Sequence, residues 1–174
     1  MPEPLHVAFL GCGFITRVHS QYLKGSLSGT IVSSYASRDL GKAEEFRKRF
    51  GGRTAFDSYD AALADASVDA VVIAVPPRFH LDLAERALAG GKHVLVEKPA
   101  FLRTEDYISI IAERDRAGRT VLVGETTRRA TFTFHGIAAA SNARSDAREF
   151  MDLGRHLERA DKTTRFLDVA NYLP

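Results

Sequence analysis

Two glycines near the start of the chain have the spacing of a phosphate-binding loop. Gly11-Cys12-Gly13 directly follows the apolar run at residues 5–10 and opens a helical segment at 13–23. Glycine lets a pyrophosphate approach the backbone, and the start of a helix supplies unpaired N–H groups and a positive dipole end. Thr16 stands at the usual third glycine and fits if helix and strand pack slightly further apart. This context predicts a dinucleotide site, with a plain turn as the alternative.

The residues that follow the second predicted strand bear on which dinucleotide would bind. Domains specific for NAD usually place Asp or Glu there, where the carboxylate bonds the ribose hydroxyls. Here the sequence is Ser37-Arg38-Asp39, so a hydroxyl and a guanidinium stand at the tip and the acid comes one position late. A guanidinium can pair with a 2′-phosphate through charge-assisted bonds. The pattern favours NADP; NAD is the alternative if Arg38 is a solvated loop residue.

The loop after the fourth predicted strand lies where the order of the strands should reverse. It contains Val75, Pro76, Pro77 and His80. Ligands of open α/β sheets bind in the crevice at such a reversal. The prolines would form a rigid wall against which a nicotinamide could rest. His80 either caps the following helix, lines the site, or is a structural loop histidine.

A charged pair, Glu97-Lys98, followed by Pro99, ends the fifth predicted strand. A charged pair packs poorly inside a sheet, so we expect it at the open carboxyl edge. Lys98 could hydrogen-bond a substrate hydroxyl or carbonyl and, because a desolvated lysine shifts its pKa readily, join proton transfer. Glu97 could hold the ammonium in place. A surface ion pair is the alternative.

Strand and helix patterns alternate along residues 5–124, with short connections. We predict strands at 5–10, 30–37, 53–56, 68–75, 93–96 and 120–123, and helices at 13–23, 40–50, 58–64, 80–89 and 104–117. Either Ser58 or Asp57 should cap the third helix, and Thr104 should cap the fifth. Such alternation indicates an α/β fold, a doubly wound and mostly parallel Rossmann sheet with helices on both faces.

The chain changes character after residue 124. Residues 125–150 are rich in Thr, Arg, Ala and Ser, and helical periodicity returns at 149–160 and 164–173. About fifty residues are marginal as an independent domain. We therefore predict a Rossmann domain at 1–124 and a short, partly helical extension at 125–174.

Composition excludes several classes of protein. The 174 residues carry a formal net charge of +2, and acidic and basic side chains alternate, which does not indicate a protein that binds nucleic acid. One cysteine rules out an internal disulfide. Neither a signal-peptide pattern nor a membrane-spanning apolar run is present. The expectation is a cytoplasmic protein with no membrane partner.

These motifs together resemble the glucose–fructose oxidoreductase/inositol dehydrogenase family (Gfo/Idh/MocA). The resemblance covers residues 5 to about 124, and its most specific part is the stretch from Gly91 to Pro99. It also rests on Gly11-Cys12-Gly13-Phe14-Ile15 with His19, on Ala36-Ser37-Arg38-Asp39, and on Pro76 with His80.

The resemblance implies an NAD(P)-dependent oxidoreductase that acts on sugars, cyclitols or related polyols. It places Lys98 beside nicotinamide and substrate, with a Lys98-Pro99 peptide that is often cis in the family. Asp152-Leu153-Gly154-Arg155-His156 resembles a family signature whose histidine often serves as acid and base, so His156 is a second catalytic candidate. The implied cofactor contacts are Gly11, Gly13, Phe14, Ile15, Ser37, Arg38, Val75, Pro76, His80, Glu97 and Lys98.

Two hypotheses about function follow. Family members normally carry a large second domain, which the extension is too short to contain. The chain is either an enzyme whose site is completed by another surface, as in a homo-oligomer, or a catalytically incomplete nucleotide-binding module. Retention of Glu97-Lys98-Pro99 favours the enzyme, whereas the short extension favours the module.

Overall fold

Strands and helices alternate along the part of the chain that the computed structural model describes, residues 3–26 and 29–124. The strands are β1 (Leu5–Leu10), β2 (Ile31–Ala36), β3 (Ala55–Phe56), β4 (Ala70–Ile73), β5 (His93–Glu97) and β6 (Val121–Gly124). The helices are α1 (Phe14–Ser26), α2 (Leu40–Phe50), α3 (Tyr59–Ala64), α4 (His80–Ala89) and α5 (Thr104–Ala117). In these ranges, no helix is both long enough and apolar enough to cross a membrane.

The six strands form one sheet in the order β3-β2-β1-β4-β5-β6, and every neighbouring pair is parallel. The chain moves outward from β1 to β3 and then returns to place β4 against the other side of β1. The order therefore reverses between β1 and β4, and their carboxyl ends diverge into a crevice. This confirms the predicted doubly wound Rossmann sheet.

Both faces of the central strands β1, β4 and β5 are buried, as is typical of parallel sheets. On one face, a cluster of aliphatic side chains joins the strands to α3, α4 and α5, and it includes Leu10, Ile73, Val96, Leu88 and Ile110. On the other face, Phe9 stacks on Tyr35 with 5.5 Å between the ring centroids. Tyr35 also packs against Phe46 of α2 at 5.7 Å.

The amino edge of the sheet is closed by internal hydrogen bonds. Buried Lys92 donates to the carbonyl oxygens of Asp65 and Val68, at 2.8 and 2.9 Å. His6 donates from Nδ1 to the Ser67 carbonyl at 2.8 Å, and its Nε2 lies 2.7 Å from Ser34 Oγ. Burial lowers the pKa of both His6 and Lys92. These hydrogen bonds stabilise the amino edge of the sheet. The crevice lies at the opposite, carboxyl edge.

Of the two helix caps that the sequence predicted, the structure confirms Ser58 and corrects Thr104, and it adds Asp39, which was not predicted. Asp39 and Ser58 cap α2 and α3, because their side-chain oxygens accept from the N–H groups of the first turn. The prediction that Thr104 caps α5 is wrong: Thr104 is the first residue of the helix, and Arg103 stands at the cap without a side-chain hydrogen bond. Glu105 in the first turn complements the helix dipole instead.

The strand boundaries differ from prediction by a few residues. The third strand, predicted at 53–56, pairs with β2 only at Ala55–Phe56. The fourth, predicted at 68–75, is regular only over Ala70–Ile73. Val68 is buried although it lies before β4, so an apolar side chain outside the strand makes the pattern overestimate the strand's length.

Replacing Phe9 by Ala should lower the free energy of unfolding by about 3–5 kcal/mol, because the ring is fully buried between the sheet and α1. Urea denaturation followed by circular dichroism measures this cost. Phe14 is the matched control, since it is 74% exposed, and Phe14→Ala should change stability by less than about 0.5 kcal/mol. Equal costs for the two substitutions would contradict the packing described for this face.

Candidate functional site

The glycine loop follows β1, and at Gly11 its backbone lies close to the loop that follows β4. Gly11 has φ +106°, and a Cβ atom there would lie 2.7 Å from the Ala74 carbonyl oxygen. Any side chain would therefore clash with backbone, in a conformation that L-residues rarely adopt. A Cβ on Gly13, in contrast, would meet no atom within 4 Å. The loop thus contains one position, Gly11, at which only glycine fits, and a second glycine, Gly13, that borders open space.

Thr16, in the position of the usual third glycine, is completely buried. Its Oγ1 donates a hydrogen bond to the Gly11 carbonyl at 2.6 Å. The sequence predicted only that a threonine could be tolerated at a wider helix–strand spacing. The structure shows that its hydroxyl fastens the first turn of α1 to the glycine loop.

The acidic residue that follows β2 caps a helix. Asp39 Oδ1 accepts hydrogen bonds from the backbone N–H groups of Gly41 at 3.0 Å and Lys42 at 3.4 Å. Ser37 is buried, and its Oγ accepts from the Asp39 N–H at 3.1 Å. One oxygen of the Asp39 carboxylate is therefore engaged in capping α2. The guanidinium of Arg38, one position earlier, is exposed.

A cleft of about 440 Å³ lies at the carboxyl edge, between β1 and its neighbours β2 and β4. Its wall is formed by the glycine loop, the turn at 37–39, the loop at 74–76, and the side chains of Lys42 and Tyr59. Burial raises the pKa of the Tyr59 hydroxyl, and the positive charge of Arg38 opposes this shift. Two cations and several backbone groups therefore surround this space.

Six of the residues expected to contact a cofactor line the cleft: Gly11, Gly13, Ser37, Arg38, Val75 and Pro76. The sequence did not single out Lys42 or Tyr59. Lys42 lies one turn along α2 from Arg38, and helical spacing could have suggested it. Tyr59 comes from a different element, so only the tertiary fold brings it to this wall.

Cys12, between the two glycines, also lines the cleft. Burial raises the pKa of its thiol to about 11, with Glu45 adding to the shift and Lys42 opposing it. The thiol is therefore neutral near pH 7. Its S–H donates to the Ala36 carbonyl at 3.7 Å. We conclude that it serves as a small packing residue of the loop and has little nucleophilic character.

His80 does not line this cleft. Its ring is fully buried, and both nitrogens face backbone carbonyl oxygens: Nε2 lies 2.7 Å from that of Val75 and Nδ1 2.8 Å from that of Ala100. Of the three possibilities that the sequence left open, this geometry fits the structural histidine. His80 connects the loop after β4 to the turn after β5.

Glu97, Lys98 and Pro99 stand at the carboxyl edge, as expected, but the glutamate has a different partner. His19 Nε2 donates to Glu97 Oε1 at 2.6 Å, whereas the sequence suggested that Glu97 would hold the Lys98 ammonium. Within the described residues, no ion pair or hydrogen bond engages Lys98, and its side chain is exposed. The Lys98-Pro99 peptide is cis.

Phe14 and Ile15 begin α1, and their side chains are 74% and 37% exposed. They flank the glycine loop but are absent from the wall of the cleft. The remaining candidate, His156, lies outside the described residues.

Two family models match the chain, and their matches overlap at residues 100–125. A family model described as "Oxidoreductase family, NAD-binding Rossmann fold" (GFO_IDH_MocA) matches residues 5–125. A second model, described as a predicted alpha-helical domain with a conserved ER motif, matches residues 100–174.

Curated relatives of the first part include an uncharacterized oxidoreductase of Rhizobium meliloti, 44% identical over 96 residues, which are 55% of this chain and 29% of the relative. A dTDP-3,4-didehydro-2,6-dideoxy-alpha-D-glucose 3-reductase of Actinomadura kijaniata is 38% identical over 97 residues, 56% of this chain and 29% of the relative. An inositol 2-dehydrogenase of Arthrobacter is 32% identical over 118 residues, 68% of this chain and 35% of the relative. The chain thus spans about a third of the length of these relatives.

A solved structure gives the same result. The 3-ketoreductase KijD10 of Actinomadura kijaniata, in complex with NADP and TDP-benzene, matches with a TM-score of 0.64 and 31% identity. The match covers 70% of this chain and 37% of that one.

The two glycines should respond differently to the same substitution. Gly11→Ala should destabilise the fold by about 1–3 kcal/mol, because it combines a positive φ with a backbone clash. Gly13→Ala should leave the unfolding free energy nearly unchanged, because its Cβ would enter empty space. Urea denaturation of both variants measures the difference, and a Gly11→Ala protein as stable as Gly13→Ala would show that the approach to Ala74 is not a constraint.

Proposed function

The chain belongs to the Gfo/Idh/MocA family of oxidoreductases, and from this premise we propose that it binds NADP and transfers hydride to or from a sugar, cyclitol or related polyol or keto compound. The cleft at the carboxyl edge is the observation that carries the proposal. It brings the glycine loop, Arg38 and the wall after β4 together. Bound NADP would supply the hydride acceptor, and NADPH the donor.

The pyrophosphate fits the glycine loop. Gly13 leaves a volume that a single Cβ would begin to fill, and this volume opens at the N-terminus of α1. Free N–H groups and the positive end of the helix dipole favour an anion there. Thr16 keeps the helix start fixed against the loop, so the N–H groups are oriented before the ligand arrives.

The charges around the turn after β2 favour the phosphorylated cofactor. Asp39 Oδ1 accepts from two backbone N–H groups of α2, so one of its two carboxylate oxygens is already engaged in capping. Arg38 and Lys42 contribute two positive side chains to the same wall. A 2′-phosphate offers the acceptors that these donors require. NADP is also the dinucleotide in the KijD10 complex.

Lys98 is the proposed catalytic residue. Its exposed ammonium stands at the same edge as the cleft, one residue after the anchored Glu97. A hydrogen bond from this ammonium to the reacting oxygen of the substrate would stabilise negative charge as hydride moves, and an uncharged amine could accept the hydroxyl proton. His156 stays a candidate acid and base on the resemblance alone.

The substrate class and the assembly belong to the same proposal. The named relatives act on a deoxysugar nucleotide and on inositol, which share adjacent oxygen-bearing ring carbons. We propose a similar small molecule for this chain. We also propose that residues 1–124 form the nucleotide-binding unit, residues 125–174 a separate extension, and a second copy a covering surface that excludes water from hydride transfer.

Arg38→Ala should raise the Kd of NADP about tenfold or more and leave the Kd of NAD unchanged, because only NADP carries the 2′-phosphate. Fluorescence titration with NADPH and NADH measures both constants. Arg49→Ala is the control, since Arg49 is an exposed arginine near the far end of α2. Parallel losses for both dinucleotides would contradict recognition of the phosphate by Arg38.

Lys98→Ala should lower turnover by about 10²–10⁴-fold while cofactor affinity is retained, because the lysine acts on the reacting oxygen. The assay mixes the protein with NADP and a panel of sugars and cyclitols and follows the absorbance of the reduced cofactor. Lys48→Ala, an exposed lysine on α2, should have no effect. Binding without turnover on every substrate would support the catalytically incomplete module, and binding of neither NAD nor NADP would refute both hypotheses.

A further inference from the structure

A buried histidine on α1 is bonded to the turn that carries Lys98. His19 is 1% exposed, and its Nε2 donates to Glu97 Oε1 at 2.6 Å. Its ring also packs against Phe9, with 6.1 Å between the centroids. Neither the fit of the cofactor nor the proposed chemistry makes use of this side chain.

The sheet directs Glu97 toward α1. Side chains alternate along a strand, and Val94 and Val96 point into the aliphatic cluster under α3, α4 and α5. Glu97 must therefore face the opposite side, where α1 lies. A Cβ on Gly124, its partner in β6, would stand only 3.1 Å from Glu97 Oε1. The end of β6 thus leaves just enough room for this carboxylate.

The turn after β5 is fixed at both ends. His19 holds Glu97 before the lysine, and His80 contacts the Ala100 carbonyl after it. The exposed Lys98-Pro99 pair lies between these two points. Because α1 begins at the glycine loop, one helix both presents N–H groups to a pyrophosphate and anchors the turn of the lysine.

We propose that His19 is a positioning residue for Lys98. By holding the Glu97 carboxylate against α1, it sets the backbone of the turn and so the place at which the ammonium meets cofactor and substrate. A hydrogen bond between a histidine and a carboxylate is charge-assisted, and such bonds are short and strong enough to orient a turn. The inference rests on the proposed role of Lys98.

The test follows Lys98 itself by NMR in protein that contains lysine labelled with ¹³C at Cε. The Lys98 cross-peak is assigned with Lys98→Arg, and its shift on saturation with NADPH is measured in wild type, His19→Asn, His19→Gln and Glu97→Leu. The shift should be at least halved in His19→Asn and in Glu97→Leu, because neither variant can form the bond between positions 19 and 97. It should be largely restored in His19→Gln, whose longer amide can still donate to the carboxylate.

Ser20→Ala provides the matched control. Ser20 is an equally buried polar residue on the same helix, but its hydroxyl donates to the Thr16 carbonyl and accepts from Tyr35, away from the turn. Its removal should lower stability and preserve the Lys98 shift. An unchanged shift in His19→Asn, or an equal loss in Ser20→Ala, would overturn the inference. If His19→Asn does not fold, Glu97→Leu decides it by the same criterion. A Lys98 cross-peak that does not shift on addition of NADPH to the wild-type protein would instead refute the proposed function.

Discussion

The contact between the backbone of Gly11 and the carbonyl of Ala74 sets the geometry on which the rest of the molecule depends. A methyl group at Gly11 would overlap that oxygen, so β1 and the loop after β4 can meet only through a glycine with positive φ. Beyond this contact the two chains separate to opposite sides, one into α1 and the other toward α4. The cleft opens where they part, and its position follows from the strand order.

Polar contacts fix α1 at the carboxyl edge of the sheet, whereas apolar packing holds the other helices against its two faces. The inner face of α1 carries Thr16, His19 and Ser20, all nearly inaccessible to solvent, and they bond the glycine loop, Glu97 and Tyr35 respectively. A buried polar group is costly unless it is satisfied, so such contacts allow few alternative placements of the helix. Apolar packing alone would tolerate small slides of α1 along the sheet. The hydrogen bonds define its depth and rotation.

The sequence predicted the elements well because local pattern determines them. The helices at 40–50, 80–89 and 104–117 have the predicted bounds, since glycine or a capping side chain marks their ends. The glycine loop, Arg38 and the wall after β4 were also predicted to converge, because parallel strands bring their carboxyl ends to one edge. Partners distant in sequence could not be inferred in this way. The pairing of Glu97 with His19 joins residues 78 positions apart, and the enclosure of His80 by two carbonyls depends on loops that only the fold brings together.

The capping role of Asp39 also limits how the proposed preference for NADP could be changed. Asp39 lies one position after Arg38, so it would be an obvious residue to redesign as a carboxylate that binds ribose. Here that carboxylate holds the first turn of α2, and removing such a cap typically costs about 1 kcal/mol. A shift toward NAD would have to introduce a new acid at Ser37 or Arg38 and keep Asp39. Two acids would then share one short turn, and their mutual repulsion would oppose the change.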